Sequence, residues 1–182
     1  MGAPGQGKPG REPARTRLHE HMTQLSEIYN QRILELSANI PRGERLPDAD
    51  ASATAHSKLC GSTVTVDVKV SDGRVTDYGQ TVKACLLGQA AASVMGHNIL
   101  GSSARELREV GAAMRKMLKA GGQPPDGRWA DLAVLEPVKD YKARHASTLL
   151  VFDAVESALA AAEAKQAGGG AAETAMATPG GA

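Results

Sequence analysis

The spacing of hydrophobic positions changes several times along the chain, and each change marks an element. Leu18, Met22, Leu25, Ile28, Tyr29, Ile33 and Leu36 recur at helical steps, the pattern of an amphipathic helix. Pro41 lies just beyond its end. Residues 42–59 show no clear period and read as an extended polar connection. From Thr63 the period becomes that of a strand: Val64, Val66, Val68 and Val70 alternate with Thr65, Asp67 and Lys69. That is a half-buried strand. Ser71-Asp72-Gly73 supplies a hairpin turn, and Arg74 to Lys83 is the return strand.

After Cys85 the pattern is helical again. Leu86, Leu87, Ala90, Ala91, Val94 and Met95 describe a small-residue helix able to pack closely. Ser103-Ala104-Arg105-Glu106 fits a capping box and opens a helix through Leu107, Val110, Met114, Met117 and Leu118. Gly121-Gly122 ends it, and Pro124-Pro125 follow in a loop. A short apolar stretch runs from Trp129 to Leu135. A last helix covers about 146–163, with Leu149, Leu150, Phe152, Val155 and Leu159 as its apolar residues. Strands do not alternate with helices, so the pattern predicts an α+β fold: a small antiparallel β-sheet with helices packed on one face.

Residues 1–16 read as a disordered tail, 17–163 as one domain, and 164–182 as a disordered Gly/Ala-rich tail. Gly5 to Gly10 fits the G-x-G-x-x-G pattern, but no strand precedes it and Pro9 sits where a helix should open. It is not read as a dinucleotide site.

Composition narrows the function classes. Aromatic residues make up 3% of the chain and the formal net charge is +1. Neither the basic surface nor the stacking platforms of a nucleic-acid binder are expected. No apolar run is long enough to span a bilayer and no signal segment is seen, so a cytoplasmic location is expected. In a reducing compartment Cys60 and Cys85 are free thiols, metal ligands or sulfur carriers rather than a disulfide. Cys85 opens a helix, whose N-terminal N–H groups favour a thiolate, so it reads as the more reactive of the two. Met95, Met114 and Met117 fall at helical spacing and read as core.

The order of these pieces resembles a known family. Leu59-Cys60-Gly61-Ser62 is similar to its L-C-G-D turn, and Gly79 to Cys85 followed by Gln89 to Met95 is similar to its second-cysteine helix. Arg144-His145-Ala146-Ser147 stands at its R-x-x-C position, and Tyr29 with Ile33-Leu34 resembles its first helix. The family is that of the U-type iron–sulfur cluster assembly scaffolds (the IscU, SufU and NifU N-terminal group), and the SufU-like branch fits best. Leu135-Glu136-Pro137-Val138-Lys139 has a weaker likeness to the IscU branch's chaperone-recognition segment.

The resemblance implies a non-enzymatic scaffold that accepts sulfur or iron, or holds a labile [2Fe–2S] cluster or Zn(II), through Cys60 and Cys85. Its partners would be a cysteine desulfurase and recipient apoproteins. The match is incomplete: Ser62 replaces the family's aspartate and Ser147 its third cysteine, and a neutral hydroxyl is a poor ligand for zinc or iron. Ser147 keeps the cofactor-facing position. His145 is a candidate third metal ligand beside Cys60 and Cys85, with Asp67 or water as a fourth and His56 as another nitrogen donor. Alternatively a homodimer pools two cysteine pairs. Two other readings remain: a degenerate member that binds partners without metal, and a sulfurtransferase that turns over a persulfide on Cys85.

Overall fold

The computed structural model describes residues 30–174, with side chains described through residue 169. The elements in chain order are α1 (Gln31–Ala38), β1 (Ala51–His56), β2 (Thr63–Ser71), β3 (Arg74–Lys83), α2 (Leu86–Asn98), α3 (Ala104–Ala120), a 3₁₀ segment (Gly127–Asp140) and α4 (Lys142–Thr174). The part of the expected first helix from Leu18 to Tyr29 lies outside the described residues. So do residues 1–16, with the Gly-rich motif, and residues 175–182.

The hairpin forms as the alternation predicts. β2 and β3 pair antiparallel from Thr63↔Lys83 to Ser71↔Arg74, with a register shift at Lys69/Val70. Asp72 and Gly73 both take positive φ, 51° and 71°, as the tightest hairpin turns require. One strand was not foreseen. Ala51–His56, expected as part of an extended connection, adds to the free side of β2 and makes a sheet of order β1-β2-β3.

The sheet buries its valine face. Val64, Val66 and Val68 are buried, and α4 lies over β1 and β2 while α2 packs against β3. The near-absence of aromatic residues is met by small ones: Ala90, Ala91 and Ala92 on α2 are all fully buried. At Gly88 a Cβ would sit 2.8 Å from the Ser147 carbonyl oxygen, so α2 and α4 touch backbone to side-chain-free backbone there. The close packing is a property of these small residues. Met95, Met114 and Met117 are core, as their spacing implies.

The other sheet face is not left to solvent along its whole length. Segment 42–46 crosses it, with Gln80 N–H donating to Arg42 O at 2.9 Å. Gly79 makes the crossing possible, since a Cβ there would fall 2.2 Å from Glu44 O. Opposite Gly79 in the register lies Asp67, fully buried. Arg45 Nε and Nη2 reach its carboxylate at 2.5 and 2.9 Å, Leu46 N–H donates at 3.0 Å, and Ser52 Oγ also hydrogen-bonds it. Burial alone would raise the Asp67 carboxyl pKa; the donors from Arg45, Ser52 and Leu46, with the Arg45 charge, outweigh it and hold the pKa below the usual range. Asp67 is thus a clasp between sheet and covering segment.

Caps set the helix boundaries. Asn30 Oδ1 accepts from Ile33 N–H at 3.0 Å, and Ser103 Oγ from Glu106 N–H at 3.2 Å. Only half of the predicted capping box closes, because Glu106 turns to Arg128 and to Trp129 Nε1, 3.0 Å away. Gly121, at φ 64°, ends α3. The stretch after it is a long 3₁₀ segment that places Trp129, Leu132, Leu135 and Val138 in the core, three residues apart as that helix repeats. Leu135 and Val138 are therefore packing residues, and Glu136 pairs with Lys139 at 3.1 Å.

α4 begins four residues earlier than its apolar pattern suggested and runs to Thr174, through much of the stretch assigned to a tail. Lys165 Nζ donates to Asp50 O at 2.6 Å and Gln166 Nε2 to Val70 O at 3.4 Å. The contacts between helix and sheet therefore continue past residue 163. No helix among the described residues is long and apolar enough to cross a membrane.

Candidate functional site

The hairpin register brings the two cysteines to one pole. Thr63 pairs with Lys83, so the chain entering β2 from Cys60 and the chain leaving β3 toward Cys85 run side by side. The N-terminal turn of α4 meets them there.

Cys60 sits in a tight loop between β1 and β2. Ser57 N–H donates to Ser62 O at 2.8 Å, and Gly61 N–H to Ser57 O at 2.9 Å. Gly61, at φ 70°, supplies the turn. The loop holds Cys60 out, exposed, while Ser57 and Ser62 are buried beneath it. Its Sγ lies 3.4 Å from Ser57 Oγ and 2.9 Å from Ser62 Oγ. Hydrogen bonding by the side chains of Ser57 and Ser62, then by the Ser62 backbone, lowers the thiol pKa to about 7, and the positive charge of Arg144 adds to this. Cys60 is thus an exposed thiol with a lowered pKa, a feature the helix-terminus argument for Cys85 does not anticipate. The lowering comes from a pair of serines, one of which, Ser62, stands at the family's aspartate position.

Cys85 is half-buried at the N-cap position of α2, with extended backbone at φ −65° and ψ 167°. Its Sγ is 3.4 Å from Ser147 Oγ. Ser147 donates its own proton to Arg144 O at 3.1 Å, so it is left to accept from the Cys85 thiol. Ser147 is almost fully buried, on the contact surface of α2 and α4. The two family positions that here carry serine thus each touch a cysteine: Ser62 touches Cys60, and Ser147 touches Cys85.

The other proposed ligands do not join them. His145 Nε2 lies 3.0 Å from Val138 O and 3.1 Å from Lys139 O, donating to carbonyls that end the 3₁₀ segment. Two residues along a helix is a turn of about 200°, so His145 and Ser147 leave α4 on opposite sides. Asp67 is locked in its clasp. His56 Nδ1 is 3.1 Å from Thr63 Oγ1 across the strand pair. Among the described residues no group of three or more His, Cys, Asp and Glu side chains is placed to hold a metal ion. The arrangement offers two thiols and two hydroxyls, a set suited to soft sulfur chemistry more than to closed tetrahedral coordination.

The state of Cys60 has a direct readout. In a Cys85→Ser chain, alkylation of the remaining thiol by iodoacetamide is expected to rise through a midpoint near pH 7. Ser57→Ala/Ser62→Ala should move that midpoint toward the ordinary value of about 8.5. An unmoved midpoint would assign the activation to something other than the two serines.

The chain is similar to known proteins in sequence and in fold. Residues 28–148 match the family described as NifU-like N terminal domain. The chain is 26% identical over 132 residues to the iron–sulfur cluster assembly scaffold protein IscU of Thermotoga maritima, covering 72% of this chain and 92% of that one. Among solved structures it is similar to a nitrogen-fixing NifU-like protein (N-terminal) from Brucella abortus, at 56% identity and a TM-score of 0.77, covering 78% of this chain and 99% of the other. The SUF-system scaffold candidate of Fervidobacterium islandicum shares the fold at 22% identity and a TM-score of 0.68, over 74% of this chain and 98% of its own.

Proposed function

The chain belongs to the NifU-like N-terminal domain family, and from that premise we propose that it serves iron–sulfur cluster assembly as a scaffold-type protein whose first task is to accept sulfur on Cys60. The observation that carries this reading is the exposed, activated Cys60 thiol, with Cys85 at the same pole. A relative named as an assembly scaffold supports the process.

The chemistry follows from the thiol. Hydrogen bonding by Ser57 and Ser62 lowers the Cys60 pKa to about 7, so the thiolate is available at neutral pH. The thiolate attacks the outer sulfur of a donor persulfide. A sulfur–sulfur bond forms on Cys60 as the donor's breaks, and the donor cysteine leaves as thiolate. No outside oxidant or reductant is consumed. A cysteine desulfurase is the donor class this reaction requires, and apoproteins lacking a cluster are the recipients. Cys85 and Cys60 are the thiolates that would hold iron with that sulfur as cargo. Ser62 and Ser147 make the hold weak, which suits transfer more than storage.

The test uses the full chain with a desulfurase and labelled cysteine. Label on the wild type and on Cys85→Ser, with none on Cys60→Ser, is expected. Equal labelling of Cys60→Ser would remove Cys60 from the role. A cluster spectrum after anaerobic reconstitution should be lost in either cysteine variant.

A further inference from the structure

The two edges of the sheet differ. The outer side of β3 is closed: Gln80 N–H donates to Arg42 O at 2.9 Å, Val75 N–H to Ser102 O at 2.9 Å, and Gly101 N–H to Val75 O at 2.8 Å. β1 forms the other edge, and two bonds fix which of its backbone groups face out. Ser57 N–H reaches Ser62 O at 2.8 Å, one residue past the His56↔Thr63 pair. Ala51, Ala53 and Ala55 therefore turn their N–H and C=O groups toward β2, and the alternate residues turn theirs away. Gln80 gives the same phase, since it bonds outward from β3 and shares Val66 with Ala53 in the register. Ser52, Thr54 and His56 thus present their N–H and C=O groups at the edge. All three residues are exposed, and among the described residues nothing hydrogen-bonds those groups. The devices that usually blunt an edge are missing: Ala51–His56 holds no proline, no lysine and no bulge.

We propose that the bare edge of β1 is a self-association surface, along which two copies of this chain pair antiparallel and join their sheets into one. Main-chain bonds hold such a pairing, and flanking side chains select the occupant. A two-fold axis through Thr54 sets Thr54 against Thr54 and Ser52 against His56, and gives every outward group a partner. Two residues further along, the same axis brings Asp50 of one copy toward Lys58 of the other, at both ends of the strand. Lys58 is exposed and makes no ion pair among the described residues. Asp50 accepts from Val70 N–H through one carboxylate oxygen, at 2.7 Å, and its other oxygen is left for a cation. A parallel pairing would instead set Asp50 against Asp50 and Lys58 against Lys58. The axis also turns the thiol poles in opposite directions. The two copies of His56 would lie about 14 Å apart along the strands, with each Cys60 further out. This dimer does not pool cysteines, and it is independent of whether Cys60 accepts sulfur.

Sedimentation velocity on the full, metal-free chain from about 5 to about 500 µM is expected to show a monomer–dimer equilibrium. Thr54→Pro removes the central outward N–H, at a place where an edge strand tolerates proline, and should leave a monomer across that range. Lys58→Glu should weaken dimerisation about tenfold, because two surface ion pairs become repulsions. Circular dichroism melts check that both variants stay folded. Crosslinking tests the register with a milder change. In a Cys60→Ser/Cys85→Ser background, Thr54→Cys should be joined to its copy by a short bismaleimide, since the paired Cα atoms would be about 5.5 Å apart. Thr65→Cys, one strand inward on the same face, should not be. A monomer at every concentration, a dimer that survives in a folded Thr54→Pro chain, or equal crosslinking of Thr65→Cys overturns the proposal. So does a dimer that forms only with iron and is lost in Cys60→Ser, which would mean pooled cysteines instead.

Discussion

Asp67→Ala is expected to lower the folding stability by about 3 kcal/mol, the cost of leaving buried donors without their acceptor. The carboxylate is fully buried. Its loss strands the Leu46 amide and the Ser52 hydroxyl and frees Arg45 from the sheet. For a domain of this size the melting temperature should fall by about 10 °C. Asp67→Asn, which keeps one acceptor oxygen, should lose roughly half as much.

The pH dependence has a definite sign. The folded pKa of Asp67 lies below its unfolded value. Its stabilisation is therefore complete above about pH 3.9, the ordinary aspartate value, and is lost as pH falls toward the folded pKa. Wild-type stability should drop across that acid range, while Asp67→Ala should be flatter there. Thermal melts between neutral and strongly acid pH decide it. Parallel curves would mean that the clasp is not what ties segment 42–46 to the sheet.

The second large effect is a gain. Ser62→Asp/Ser147→Cys should convert a chain with two thiols and two hydroxyls at this pole into one that keeps one equivalent of zinc through dialysis. Ser62 Oγ is 2.9 Å from Cys60 Sγ and Ser147 Oγ is 3.4 Å from Cys85 Sγ. The substitutions would place a carboxylate and a third thiolate beside thiols already present, completing four anionic donors. Outer-shell partners alone change metal affinity by about 10- to 100-fold, so two added ligands should exceed about 100-fold. Zinc per chain and competition with a chelator give the readout. The metal-free double variant should melt lower than the native chain and recover with zinc, because binding energy is folding energy. No zinc in the double variant would mean that the two cysteine–serine pairs stand too far apart to act as one site.

How far the sequence revealed this arrangement depended on the kind of signal each part carries. The β2–β3 hairpin was legible because valine alternation and an Asp-Gly turn are local and strong. β1 was not, since Ala-Ser-Ala-Thr-Ala-His has small side chains and a weak pattern, and it becomes a strand only by pairing with β2. The 3₁₀ segment leaves a readable trace: Trp129, Leu132, Leu135 and Val138 fall every third residue, within what otherwise reads as a short apolar stretch. The significance of Cys60 and Cys85 comes from resemblance, and the hairpin register shows why both lie at one pole. Nothing local reveals that Ser57 and Ser62 lower the Cys60 pKa, since that depends on a loop closing on itself. That His145 faces away from Ser147 follows from helix periodicity once α4 begins at Lys142 rather than near residue 146.

The reach of α4 has a practical consequence for handling the molecule. Ser147 on its first turns meets Cys85, and Gln166 bonds the far end of the sheet. At 1.5 Å per residue those points are about 29 Å apart. A chain tethered to a sensor surface through the last turns of α4 would therefore stand with its thiols turned outward, ready for a partner in solution. The same linkage made near Lys58 would bury them against the support.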